Sequence, residues 1–270
     1  MARGEAGGGT VGKALEVLDL VAGFGRSVRF TELLRDSPYP KPTLYRFVQT
    51  LTRQGMLSYD RPSQTYALGV RLVRLAHAAW NQSSLAPLAR VHLDSLAAEV
   101  GATVHLVQLD HGQVLYVDKR NPANAIEMFS SAGKVGPAYC TGVGKAMMAF
   151  LPEVELVPVI TQQSFHRFTP HTLVTEAALR AELAEIRKRG YAFDREEHEP
   201  GIICVALPIL TPQGSVLGAL SVTSSTARQT LDTLEGLVPR IRRTTSAIAE
   251  EAQHWRFPDQ IRQTETMGTE

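Results

Sequence analysis

The sequence predicts an α+β protein in two parts, a small N-terminal winged helix-turn-helix and a larger α/β domain, joined by a helical linker. Three observations lead there. Apolar residues recur at helical spacing in three short segments between residues 11 and 51, and a hairpin pattern follows at 56–68. Beyond residue 100, strand-like runs interleave with helical ones. The formal net charge of +1 is unevenly divided: residues 1–70 hold nine Lys and Arg against six acids, so a +3 head precedes a −2 remainder. A basic small module on a mildly acidic larger one suits phosphate neutralisation.

The first helix follows from Val11, Ala14, Leu15, Leu18, Val21 and Ala22 on one stripe, ended by Gly23 and Gly25. Thr31 is the expected cap of a second short helix running to Arg35, and the prolines at 38, 40 and 42 turn the chain. Leu44, Phe47, Val48 and Leu51 fall at i, i+3, i+4 and i+7, with Pro42 in the first turn of this third helix. Residues 56–68 alternate around the polar centre 60–64, the pattern of a two-stranded wing. The 70–100 segment reads as two connector helices, the second ended by Gly101. Strands are expected at 103–109, 114–118, 125–130, 202–210 and 216–222, and helices at about 141–151, 176–189 and 228–255. The resulting division is a tail at 1–9, the winged helix at 10–69, a linker helix at 70–84, the larger α/β domain at 85–256 and a polar tail at 257–270.

With 270 residues, 44% of them hydrophobic, the chain can bury two cores, and no apolar run approaches the roughly 20 residues that span a bilayer. Residues 1–9 are glycine-rich without the apolar centre of a signal peptide. Two cysteines, Cys140 and Cys204, argue against a disulfide framework and for a reducing compartment, so a cytoplasmic protein without membrane contact is expected.

In order along the chain, Lys41-Pro-Thr-Leu-Tyr-Arg46, Tyr66-Ala-Leu-Gly69, Gly142-Val-Gly-Lys-Ala146, Phe168-Thr-Pro170, Arg189-Gly-Tyr-Ala-Phe-Asp194, Glu196-Glu197 with Pro200-Gly201, and Cys204-Val-Ala206 resemble the IclR family of transcription regulators. The likeness runs over nearly the whole chain. It departs at Pro42, where the family usually has Ser, and at Tyr139-Cys-Thr141, where a His-Ala-Thr-like stretch is common. The resemblance implies a GAF-like effector-binding fold for the C-terminal domain and a regulator rather than an enzyme. It also implies a repressor of a catabolic operon, acting as a homodimer or dimer of dimers on palindromic double-stranded DNA, with no cofactor.

If the apolar face of the third helix is turned inward, Thr43, Arg46 and Gln49 point outward, flanked by Lys41, Tyr45 and Arg53. Arg pairs with guanine and Gln with adenine in the major groove, while Lys41, Thr43 and Tyr45 suit phosphates. Arg61, at the wing tip, reads as a phosphate or minor-groove contact. The plainer reading is a solvated helix face.

For the effector, the segment from Gly142 offers helix N-terminal N–H groups to an anion, and two glycines allow close approach. The resemblance places a small organic acid on Met128, Gly142, Val143, Asp194, Ile202, Cys204, Ser221 and Thr223. Ser221 and Thr223 share one strand face, as do Ile202 and Cys204. Asp194 can accept from hydroxyls, which favours a hydroxy or sugar acid. Two alternatives stand beside this. Cys140, Cys204, Asp194 and His198 could make a metal or thiol sensor. Cys140 with His166, His171 or His198, or Asp194 with Glu196 and Glu197, could make an enzyme, although no nucleophile-elbow or full phosphate-loop spacing occurs.

Overall fold

The computed structural model describes residues 9–83, 85–122, 126 and 128–254. The tail at 257–270 and all but Gly9 of the tail at 1–9 lie outside them. Two compact units meet between Gln82 and Ser83.

The N-terminal unit contains helices α1 (Thr10–Gly23), α2 (Phe30–Asp36) and α3 (Lys41–Arg53). Strands β1 (Val28–Arg29), β2 (Leu57–Asp60) and β3 (Thr65–Leu68) form an antiparallel sheet in the order β1-β3-β2, and α4 (Val70–Ser83) follows. Its core joins Val17, Leu18 and Val21 of α1 to Leu33, to the four expected apolar residues of α3 and to Tyr66. The stripe on α1 is narrower than its sequence pattern. Val11 is 75% and Leu15 48% exposed, while the buried residues Val17, Leu18 and Val21 all lie in the second half of the helix.

The start of α2 also differs from expectation. Thr31 lies inside the helix, and Arg29 holds the cap position. Glu32 replaces the hydroxyl cap by accepting the Arg29 N–H at 2.9 Å while pairing with Arg26 at 2.7 Å. Those contacts, Arg26 first, pull the Glu32 carboxyl down to about 2.

The C-terminal unit is built on a six-stranded, wholly antiparallel sheet. Its strands are β4 (Thr103–Asp110), β5 (Gln113–Arg120), β6 (Val135–Pro137), β7 (Ala192–Arg195), β8 (Ile202–Leu210) and β9 (Val216–Ser225), in the order β6-β5-β4-β9-β8-β7. Helices α5 (Ala86–Val100) and α10 (Val238–Glu251) pack together, α5 on β4 and β5 and α10 on β8 and β9. By strand alternation the other face carries Val107, Val114, Tyr116, Cys204, Ala206 and Ala219. These residues share a core with α6 (Gly142–Met148), α7 (Glu153–Thr161) and α8 (Glu176–Arg189).

Three expectations need correction here. The strand expected at 125–130 partly falls on Ala125 and Glu127, outside the described residues; Ile126 and Met128–Ser130 carry no strand. β6 takes that edge instead, guided by Gly133 N–H to Tyr116 O at 2.8 Å and Tyr116 N–H to Lys134 O at 3.0 Å. The single helix expected at 228–255 is two, α9 (Leu231–Glu235) and α10, because Gly236 breaks it and Pro239 restarts it in the first turn of α10. β7 and α7 are additional, the first only four residues long and the second interrupted by Pro158.

Candidate functional site

Two surfaces carry the candidate residues. On α3, Lys41, Tyr45 and Arg46 are exposed while Leu44, Phe47, Val48 and Leu51 are buried, so the amphipathic pattern sets the buried face, and of the three residues expected to point outward only Arg46 is fully exposed. Arg46 lies with its guanidinium 5.7 Å from the Phe47 ring centre, and Tyr45 stands edge-on to Phe30 at 5.8 Å. Thr43 and Gln49 are half-buried, and Gln49 faces the Tyr66 phenol of the wing. Arg61 is exposed in the β2–β3 turn, which Asp60 shapes by accepting the Ser63 N–H at 3.1 Å. The structure thus places five of the six candidates along α3 and Arg61 on the wing of the same unit.

The second surface is a concavity over the sheet, and all eight residues expected for the effector line it. Strand register explains this convergence. Asp194 of β7 pairs with Cys204 of β8, and Cys204 with Thr223 of β9, so one row of the sheet contributes three of them. Ser221 stands two residues along on the same face, opposite His105 of β4. The start of α6 closes the concavity from above, with Thr141 as its cap: the Thr141 hydroxyl accepts the Gly144 N–H at 3.3 Å and donates to Pro137 O at 2.8 Å.

Both glycines of α6 are imposed by packing. A Cβ on Gly142 would stand 2.5 Å from Cys204 Sγ, and one on Gly144 would stand 2.2 Å from the Ala138 carbonyl oxygen. Lys145, fully buried, forms an ion pair with Glu197 and so pins α6 to the segment after β7. The lysine of this Gly-x-Gly-Lys run therefore points at a protein carboxylate.

Glu197 in turn donates its backbone N–H to Asp194 Oδ1 at 2.8 Å. Burial, and next the negative charge of Glu197, push the Asp194 carboxyl up to about 7. A carboxyl raised this far holds its proton more readily than an ordinary aspartate, and in that form it can donate as well as accept.

Six further lining residues, His105, Tyr116, Ser130, Thr141, His198 and Glu199, were not singled out as effector contacts, and His198 entered only the alternatives. His105 carried a usable signal: an imidazole between Val104 and Leu106 on a strand, two residues from Thr103 and so on its face. Burial holds the thiols of Cys140 and Cys204 protonated by raising both well above their ordinary value. Neither is then a ready thiolate. Among the described residues no group of three or more His, Cys, Asp or Glu is arranged to hold a metal ion. The metal- or thiol-sensing alternative has no support from either observation.

Comparison with known proteins decides the family. The profile of the IclR helix-turn-helix domain matches residues 10–61, and that of the bacterial transcriptional regulator IclR C-terminal domain matches residues 77–250. This chain belongs to the IclR family. Among IclR-family relatives, the HTH-type transcriptional regulator XynR of Escherichia coli K12 is 32% identical over 219 residues, covering 81% of this chain and 87% of XynR. The transcriptional repressor IclR of the same organism is 28% identical over 222 residues, covering 82% and 81%.

The crystal structure of Thermotoga maritima IclR superposes with a TM-score of 0.73 at 28% identity, over 90% of this chain and 98% of that one. These IclR-family proteins are DNA-binding transcription regulators and not enzymes, and so is this chain. No described helix is long and apolar enough to cross a membrane.

Proposed function

We propose that this IclR-family regulator represses a catabolic operon and that a small hydroxylated organic acid, bound under α6, changes its hold on the operator. In this reading α3 enters the major groove with Arg46 and Gln49 towards the bases, and Lys41, Thr43, Tyr45 and Arg61 contact the backbone. Two heads read a palindrome, so the working unit is a dimer or a dimer of dimers. The exposed apolar side chains of α4, Val70, Val73 and Leu75, supply surface for such pairing.

The observation that carries the effector reading is the convergence of hydrogen-bonding groups on one concavity. Hydroxyls come from Ser221 and Thr223, a carboxyl able to hold its proton from Asp194, and first-turn N–H groups from Gly142 and Val143. Met128, Ile202 and Cys204 give apolar contact between them. The ligand's carboxylate sits at the α6 N–H groups and its hydroxyls near Asp194, Ser221 and Thr223. Repression is supported by likeness to a relative that is itself a repressor.

Calorimetry against a panel of sugar acids and simple carboxylates tests the site. The Ser221→Ala, Asp194→Ala double variant loses at least two hydrogen bonds to the ligand's hydroxyls, about 1–3 kcal/mol together, and with them about a tenfold part of the affinity. Parent-like binding and response in that variant place the ligand elsewhere.

A further inference from the structure

A chain of hydrogen bonds runs behind the hydroxyls of this pocket. Register sets Lys119 of β5, His105 of β4 and Ser221 of β9 in one row across the sheet. His105 is 3% exposed. Its Nε2 lies 2.7 Å from Ser130 Oγ, and its Nδ1 lies 3.2 Å from Thr223 Oγ1 and 3.3 Å from Ser221 Oγ. Lys119 Nζ donates to the Ser130 carbonyl oxygen at 2.7 Å and reaches Ser130 Oγ at 3.4 Å. The Tyr116 ring meets the imidazole edge-on at 5.4 Å. Burial pushes His105 down to about 3, so the ring is neutral and its two nitrogens differ: one carries hydrogen, the other a lone pair.

Two features select which is which. The ammonium of Lys119 stands beyond Ser130 on the Nε2 side, and a neutral imidazole is favoured with its lone pair, the negative end of its dipole, towards a cation. On the other side two hydroxyl oxygens lie at nearly equal distance from Nδ1. An N–H can be shared between two such acceptors, whereas one lone pair serves a single donor well.

We propose that Lys119 and Ser130 fix His105 as the Nδ1–H tautomer, and that His105 thereby orients the Ser221 and Thr223 hydroxyls to donate into the pocket. Each hydroxyl that accepts from the ring must point its own hydrogen elsewhere. Since Ser221 and Thr223 are 3.4 Å apart and one can donate to the other, at least one hydrogen is left for a ligand. The β9 wall then selects an acceptor oxygen, a carbonyl, a carboxylate or the lone pair of a hydroxyl. The complementary acceptor is Glu199, whose carboxyl is held below the ordinary range by the neighbouring His198 and which accepts the Phe129 N–H at 2.9 Å. His105 is thus a positioning residue that gives the site a direction. This rests on the concavity being the effector site.

Nitrogen-15 NMR of the full ligand-free chain with labelled histidine reads the tautomer. The expected result is one imidazole that stays neutral on acidification to about pH 5, with Nδ1 protonated and Nε2 bare, and that disappears in His105→Gln. Ser130→Ala moves the proton towards Nε2, Lys119→Met moves it the same way, and Lys119→Arg restores the parent pattern. A neutral ring protonated at Nε2 in the parent overturns the proposal, as does a pattern unmoved by both Ser130→Ala and Lys119→Met. The parent spectrum, assigned by His105→Gln, decides without the other variants, so a Ser130 or Lys119 variant that fails to fold leaves the test intact. Because no ligand is added, this failure is distinct from failure of the effector reading, which shows as absent binding in calorimetry.

Discussion

Asp194 keeps its proton near neutrality because a second negative charge beside Glu197, away from water, is costly. Its folded value of about 7 lies above the ordinary 3.8, so the folded chain binds the proton more tightly than the unfolded one. Stability from this group is therefore full below the unfolded value and falls as pH rises towards 7, at up to about 1.4 kcal/mol per pH unit. The stability of Asp194→Asn relative to the parent should rise across that window and level off above it; a flat difference from pH 4 to 8 in chemical denaturation contradicts the shift. Arg46 concerns the other unit. Its guanidinium is exposed on α3, so Arg46→Ala should weaken operator binding by about 1–3 kcal/mol with the fold unchanged, and an unaltered fluorescence titration at fixed salt removes it from the interface. The exposure of Arg46 was legible in the spacing of Leu44, Phe47, Val48 and Leu51. The partners of His105 were not, because Ser221 lies 116 residues away and nothing local in the sequence encodes a pairing across that distance.

The short helix α6 shows how several constraints converge on one element. Gly142 and Gly144 read in the sequence as room for a ligand, and their contacts with Cys204 and Ala138 supply a second reason that only packing reveals. Lys145 read merely as part of a run, since the acid opposite it comes from a different segment. With both charges out of water, removing one partner leaves the other uncompensated, so Lys145→Met should destabilise the chain by about 3–5 kcal/mol. Replacing Glu197 by an apolar residue as well should recover much of that loss. Equal denaturation midpoints for Lys145→Met and the parent would show that the pair contributes little. Long periodic elements such as α1, α3, α8, β8 and β9 were readable because each repeats its pattern over several turns or pleats. β7 was missed because four residues show too little alternation, and α7 because Pro158 masks its period. The edge strand was misplaced because backbone contacts to Tyr116, and no side-chain pattern, choose it.

At the scale of the whole molecule, one winged helix offers few base contacts, and a palindromic operator asks for two. Light scattering at micromolar concentration should give a dimer or larger, and a monomer that persists with operator DNA rules this out. The basic head and mildly acidic remainder were legible in composition, and so was the two-part architecture; the antiparallel sheet order was not, since it depends on which distant strands meet. That order bears on how the chain reaches its native state. The sheet centre joins β4 to β9, with Thr103 beside Thr223, so all the chain from Thr103 to Thr223 must be synthesised before its two middle strands can pair. Closing so long a loop is entropically slow, and contacts this distant place the unit among late folders, whereas the helices of the head need only near neighbours. A nascent chain therefore carries a head able to fold well before its pocket exists, and ligand in the cell can stabilise only chains whose β9 has been made.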